Sequence, residues 1–322
     1  MGKALRWGVL GAARIARDAV CPAIHLAEGA ELVALATRNP ARAAPFLARY
    51  PGLAVHADYA ALLAEPGIDA VYIPLPNHMH VPWTLRALEA GKHVLCEKPI
   101  ALEAGEIDGL IAARDASGRM AAEAFMVLHH PQWLRARDLI AEGAIGRLRH
   151  VSGSFCYTGL PADDIRTRAE FGGGGLRDIG VYPAITTRFV TGAEPVRLMS
   201  RIERHGEVDG AAHVWADFPG FTLSFHVATD LHWRQEMVFH GEEGILRLPA
   251  PFRPDQAVGA RLEWQRADGT EVHEIFAGAD QYRLMIENFG RSVRAGASFA
   301  CPLEFSRGNQ AMIDAIFAGE LA

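Results

Sequence analysis

The chain has 322 residues, half of them hydrophobic and 22% charged, with 32 basic against 38 acidic residues and a formal charge of -6. This composition excludes general disorder, and at roughly 150 residues per domain it points to two domains whose cores need no metal or disulfide staples. The acidic balance, without a block of like charge, argues against a nucleic-acid partner. No apolar run approaches the roughly 18 residues of a membrane span, and Arg14 and Arg17 interrupt the first apolar stretch too early for a signal peptide. A soluble cytoplasmic protein with no membrane partner is expected. Cys21, Cys96, Cys156 and Cys301 are widely spaced and are expected to be core thiols in a reducing compartment.

In chain order, short apolar runs at 5–10, 31–36, 69–74, 92–97 and 119–125 alternate with helical-period stretches at 13–27, 40–49, 80–90 and 103–116. That rhythm is the signature of βα units and a parallel sheet. Gly29, Gly91 and Gly118 follow helical stretches, where a left-handed C-cap glycine belongs. Beyond residue 125 the pattern changes to alternating segments at 148–157, 196–204, 213–218, 221–227, 235–240, 244–248, 261–266 and 272–276, several joined by short turns that fit antiparallel hairpins. Helices at 282–294 and 304–317 close the chain.

The first strand runs into a segment in which Gly11, Ala13 and Ala16 occupy the positions of the dinucleotide fingerprint G-x-G-x-x-G/A. The first must turn tightly, the second must admit a pyrophosphate and the third lets helix pack on strand. Gly11, Ala13, Arg14 and Ile15 are therefore candidate cofactor contacts at a helix N-terminus that favours phosphate. Where a site selective for NAD places an acid, this chain has Thr37 and Arg38, with Arg42 one turn on. A hydroxyl and two guanidinium groups suit a 2'-phosphate, so NADP is expected over NAD. The competing reading is a solvated arginine pair.

Two later strands lead into Pro74-Leu75-Pro76-Asn77-His78-Met79-His80 and Glu97-Lys98-Pro99. Both follow the carboxyl edge of the sheet, where open α/β sheets bind ligands, so Asn77, His80, Glu97 and Lys98 are expected to converge on one crevice. Two histidines two residues apart, without a third ligand, mark a helix start rather than a metal site. Only Lys3, Lys92 and Lys98 among the 32 basic residues are lysines. An amine exchanges protons where a guanidinium cannot, which favours a chemical role for Lys98 over a plain salt bridge. Four glycines at 172–175 read as a flexible run ahead of Asp178 and Tyr182, which share a face if a helix starts near 178. A lysine about 4 Å from a phenol would lower its pKa by roughly three units at an effective dielectric near 20. A general base for a sugar hydroxyl requires such a shift.

With the GAARIA turn, PLPNHMH, CEKP, the AFMVLHHPQ segment at 124–132 and GGGGLRDIGVYP in this order, the chain resembles the Gfo/Idh/MocA family over essentially its full length. The likeness is strongest to the branch that contains glucose-fructose oxidoreductase, D-xylose dehydrogenase, 1,5-anhydrofructose reductase and dimeric dihydrodiol dehydrogenase. The resemblance implies an α/β Rossmann domain with a doubly wound parallel sheet at 1–125 that binds NADP. It also implies an α+β domain at 126–322, with a large open, mainly antiparallel sheet for substrate binding and assembly as a homodimer or homotetramer, the last helix packing back on the first domain. It implies an NADP-dependent oxidoreductase acting on a sugar or cyclic polyol, without a metal. Lys98 would be the lysine of the E-K-P motif, Tyr182 the proton donor or acceptor, and Asp178 the residue that hydrogen-bonds the reacting hydroxyl. Thr37, Arg38 and Arg42 would take the 2'-phosphate, Asn77, His80 and Glu97 would lie near the nicotinamide and its ribose, and Tyr157 and Arg166 would be further substrate contacts. Leu128 stands where many relatives carry Arg. The expected reaction removes hydride from C1 of an aldose to give a lactone. Alternatives are reduction of a ketose or anhydro-ketose, oxidation of a trans-dihydrodiol, and a non-catalytic NADP-binding regulator.

Overall fold

The structure is a computed structural model that describes residues 3–257, 259–319 and 321. It divides into two compact units, one running to His129 and including Asp280–Arg307, the other made of His130–Ala279 and the segment from Gly308 onward.

The first unit is built on a six-stranded sheet: β1 (Leu5–Leu10), β2 (Ala30–Ala36), β3 (Ala54–His56), β4 (Ala70–Ile73), β5 (His93–Cys96) and β6 (Ala121–Glu123). The strand order is β3-β2-β1-β4-β5-β6 and every pairing is parallel. Val9, Leu10, Leu35, Val71, Tyr72, Val94 and Leu95 are fully buried, as in a parallel sheet with both faces covered. The covering helices are α1 (Cys21–Leu26), α2 (Ala44–Arg49), α3 (Tyr59–Leu63), α4 (His80–Glu89) and α5 (Ala104–Ser117). Chain order reverses between β1 and β4, so the carboxyl ends of these strands flank the switch point at which doubly wound sheets hold ligands.

Two elements of this unit lie outside the sequence expectation, β3 and α3. A three-residue strand at a partly exposed edge carries no readable period, and α3 is five residues started by Asp58, which accepts from the Ala61 N–H at 2.7 Å. The expected helix at 13–27 is wound as a wide π-turn over Ala16–Val20 before α1.

The second unit carries α6 (Pro131–Ala141), β7 (Leu148–Cys156), α7 (Val181–Thr191), β8 (Arg197–His205), β9 (Val208–Phe218), β10 (Phe221–Ala228), β11 (Arg234–Gly241), β12 (Gly244–Leu248), β13 (Arg261–Arg266) and β14 (Glu271–Ile275). The eight strands run β14-β13-β12-β11-β7-β10-β9-β8, antiparallel except for the β7/β10 pair. Across the sheet, one register line reads Val214, Phe225, Gly153, Met237 and Leu248, and its apolar side chains are buried. The next reads Trp215, Ser224, Ser152, Val238, Arg247, Glu263 and His273. The two faces therefore differ by one residue of register, core on one side and mixed polar on the other. Helix α6 is also absent from the sequence expectation, although Trp133, Ala136 and Leu139 recur at helical spacing and are buried. Pro131 opens its first turn, and the His130 side chain accepts from the Gln132 N–H.

Two helices follow, α8 (Gln281–Ala295) and α9 (Leu303–Ala318). In the first unit, Phe289 of α8 stacks at a tilt on Trp7 of β1 with ring centroids 5.0 Å apart. All four cysteines are buried thiols, none in a disulfide. Among the described residues, no helix is long and apolar enough to cross a membrane.

Candidate active site

In the first unit, the turn after β1 is set by Gly11, whose φ of +114° lies in the region that side chains disfavour. A Cβ there would meet Leu75 Cδ2 at 2.9 Å, so the turn lies directly against the end of β4. Helical conformation begins at Arg14, with Ala13 and Ile15 half-buried and Arg14 exposed. At the end of β2, Thr37 is buried and receives the Asn39 N–H at 3.3 Å. Arg38 and Arg42 are exposed, Arg38 lying over the Tyr59 ring at 6.0 Å. Neither arginine forms an ion pair among the described residues, and Thr37, Arg38 and Asn39 include no carboxylate. The tight glycine turn and this cationic, acid-free strand end fit a dinucleotide bearing a 2'-phosphate.

Lys98 stands on the turn that leaves β5. The side chain of Glu97 accepts the Tyr72 hydroxyl at 2.5 Å through one oxygen and the Lys98 N–H at 3.3 Å through the other. The Ile100 N–H donates to Glu123 at 2.9 Å. His80, expected beside the nicotinamide, is 1% exposed, with Nδ1 2.7 Å from the Pro99 carbonyl and Nε2 2.7 Å from the Leu75 carbonyl. Burial pushes this imidazole down to about 4, against the pull of the two carbonyls. Both ring nitrogens thus face main-chain carbonyls, and His80 braces the two turns. Asn77 is half-buried in the short turn before α4. Leu128 is fully buried and belongs to the core.

In the second unit, Tyr157 follows β7 and donates its hydroxyl to Asp178 Oδ2 at 2.6 Å. Arg166 Nε reaches the same oxygen at 3.0 Å and also pairs with Asp164 at 3.1 Å. Burial and the Asp178 carboxylate push the Tyr157 phenol well above its ordinary range, which makes it a donor. Asp178, expected from sequence, is therefore held by two other predicted residues, Tyr157 and Arg166, while Asp164 was not anticipated. Tyr182 is 6% exposed and packs on Phe155 and Phe252, centroids 5.6 and 5.3 Å away.

The glycine run is not the flexible segment expected of it. Gly172 to Gly175 are all buried. A Cβ on Gly173 would run into the Arg166 carbonyl, and one on Gly174, at φ +118°, into the Asp209 carboxylate. Glycine is there because backbone and an acid fill the space a side chain would need. Asp209, on β9 and 3% exposed, accepts the Leu176 N–H at 2.5 Å, so it caps the helical segment that carries Asp178 and Tyr182. That segment begins as a π-turn over Leu176–Gly180 and runs without a break into α7, so Pro183, the third residue of α7, lies inside a continuous helical stretch just after the wide turn. Among the described residues, no group of three or more His, Cys, Asp or Glu side chains could hold a metal ion.

With these features in place, the comparisons with known proteins are specific. An oxidoreductase family with an NAD-binding Rossmann fold, Gfo/Idh/MocA, matches residues 5–125, and the Gfo/Idh/MocA C-terminal domain matches 133–247. The chain belongs to the Gfo/Idh/MocA family. A dTDP-3,4-didehydro-2,6-dideoxy-α-D-glucose 3-reductase of Saccharopolyspora spinosa is 37% identical, covering 97% of this chain and 95% of the relative. A D-xylose 1-dehydrogenase (NADP+) of Haloferax volcanii is 33% identical over 97% and 96%. The crystal structure of a 3-ketoreductase from Actinomadura kijaniata, in complex with NADP and TDP-benzene, matches this Gfo/Idh/MocA member with a TM-score of 0.91 at 33% identity, covering 99% and 98% of the two chains. Structures of that ketoreductase with a tyrosine changed to phenylalanine, or a lysine changed to alanine, have also been solved.

The buried cap yields a test. Burial raises the Asp209 carboxyl to about 6. Its folded pKa lies above the unfolded value, so its stabilisation is complete below about 3.8 and is lost as pH rises through about 6. Urea unfolding at a series of pH values should show wild type losing about 3 kcal/mol relative to Asp209→Asn across that window. A difference that stays constant with pH would contradict the assignment.

Proposed function

We propose that the chain is an NADPH-dependent reductase of a keto group on a sugar ring, with Tyr182 as proton donor and Lys98 as the cation beside the reacting oxygen. The acid-free end of β2, with Arg38 and Arg42 exposed, is the observation that carries the cofactor choice. When bound, NADPH supplies the hydride. The chain's own residues manage the proton and the orientation. A phenol donates to the alkoxide left on the former carbonyl oxygen. An ammonium group lowers the energy of the charge that develops there. Asp178, held by Arg166 and Tyr157, offers carboxylate oxygens that accept a substrate hydroxyl.

The reductive direction and a nucleotide-linked deoxysugar are supported by the 3-ketoreductases among the relatives. The xylose dehydrogenase supports a second reading, oxidation of an aldose at C1 to a lactone, in which the same residues run in reverse. Turnover against keto-sugars with NADPH and aldoses with NADP+ separates the two, and silence on both panels removes the enzymatic proposal. Tyr182→Phe should lower kcat by roughly 10²–10⁴ while leaving NADPH affinity nearly unchanged; retained turnover takes Tyr182 out of the role. Arg38→Ala should weaken NADPH binding by roughly tenfold to a hundredfold and NADH binding far less. Equal losses would contradict the 2'-phosphate assignment.

Self-association belongs to the same proposal. Trp215 and Ile275 expose apolar surface on the polar face of the eight-stranded sheet, and a second copy would cover it. Light scattering that shows a monomer at working concentrations removes this part.

A further inference from the structure

The turn that carries Lys98 is braced by side chains from three flanking elements. Tyr72 of β4 holds Glu97, His80 at the start of α4 faces the Pro99 carbonyl, and Glu123 of β6 takes the Ile100 N–H. Of the three, Glu123 is the one whose chemistry exceeds its visible task. It is 3% exposed, and besides Ile100 it is bonded by the Ser306 side chain of α9. One N–H and one hydroxyl would be satisfied by the oxygen of a glutamine, at a much smaller desolvation cost than a carboxylate carries. A titratable acid at this point is therefore an expense that packing alone does not explain. The charged and titratable groups that face it are Glu97 and Lys98 on the β5 turn and Cys96, its register partner on β5. Glu97 opposes its ionisation and Lys98 favours it.

We propose that Glu123 is a positioning residue for Lys98: its carboxylate fixes the turn on which the lysine stands, and its ionisation is coupled to the charge of the lysine. The proposal rests on the catalytic reading of Lys98 given above. Burial pushes the Glu123 carboxyl up to about 7, so the coupling falls at the pH where the enzyme would work. The ionised form accepts from the Ile100 N–H and the Ser306 hydroxyl together. The protonated form still accepts through its carbonyl oxygen but more weakly, and it withdraws the negative charge that Glu123 presents to Lys98.

Two measurements test this. In NADPH-dependent turnover, Glu123→Gln should lower kcat on the order of tenfold, leave the KM for NADPH nearly unchanged, and remove an ionisation near neutral pH from the kcat profile. A variant that matches wild type in both kcat and profile overturns the proposal. Independently of turnover, the carboxyl ¹³C signals of glutamate-labelled full-length protein can be titrated, with Glu123→Gln or, should that variant not fold, Glu123→Asp identifying the resonance. The Glu123 resonance should titrate above the ordinary carboxylate range in wild type and move higher by roughly one pH unit in Lys98→Met. An unchanged titration in Lys98→Met overturns the coupling. Silence of the wild-type enzyme on every sugar would refute the catalytic reading and leave the titration result standing.

Discussion

A carboxylate taken out of water loses several kcal/mol of solvation unless N–H and O–H groups are aimed at it. Among the described residues, each unit buries one carboxyl group almost completely, Asp209 in one and Glu123 in the other, and each lies near residues of the proposed site. Asp209 receives the Leu176 N–H, two residues before Asp178. Glu123 receives the Ile100 N–H, two residues after Lys98. Both acids stand on strands, and both accept from main-chain N–H groups. The residues read as reactive are therefore positioned from behind, through the backbone that carries them. The tight packing at Gly174 follows from the same constraint, because the Asp209 carboxylate occupies the place of a side chain.

Much of the fold was legible because burial writes itself into local pattern. Apolar runs covered on both faces gave the parallel sheet, and alternation gave the hairpins of the second unit. What escaped was either too short to show a period, as with β3 and α3, or hidden behind a motif, as with α6. The site was legible in its residue types and less so in their roles. His80 occupies the expected motif, yet its two nitrogens are taken by carbonyls of Leu75 and Pro99, and nothing local reveals the second of these. The glycine run reads as flexible because glycine lacks a side chain, whereas the groups that fill the space come from distant residues. Glu123 and Asp209 did leave a trace: each interrupts an apolar strand with an acid, in Ala121-Ala122-Glu123-Ala124-Phe125 and in Val208-Asp209-Gly210-Ala211.

The uneven use of lysine and arginine acquires physical content in the structure. Many arginines serve in ion pairs, as Arg114 does with Glu304, Arg188 with Glu194, and Arg247 with Glu236 and Glu263. Guanidinium forks suit such pairs. Arg38 and Arg42 depart from that use at the end of β2. Of the lysines, Lys92 is buried and donates to the Glu65 and Ile68 carbonyls at 2.7 and 2.8 Å, a structural post. Lys98 instead stands on a braced turn at the carboxyl edge of the sheet.

In the proposed reaction, hydride reaches a keto carbon of a sugar ring while this chain supplies the proton. Turnover of a nucleotide-linked 3-keto-deoxysugar with NADPH deuterated at the transferring position of C4, followed by ²H NMR of the isolated sugar, tests it most directly. The expected product carries deuterium on the former carbonyl carbon, which now bears a hydroxyl. Recovery of unlabelled sugar, with the deuterium still on the cofactor, would contradict it.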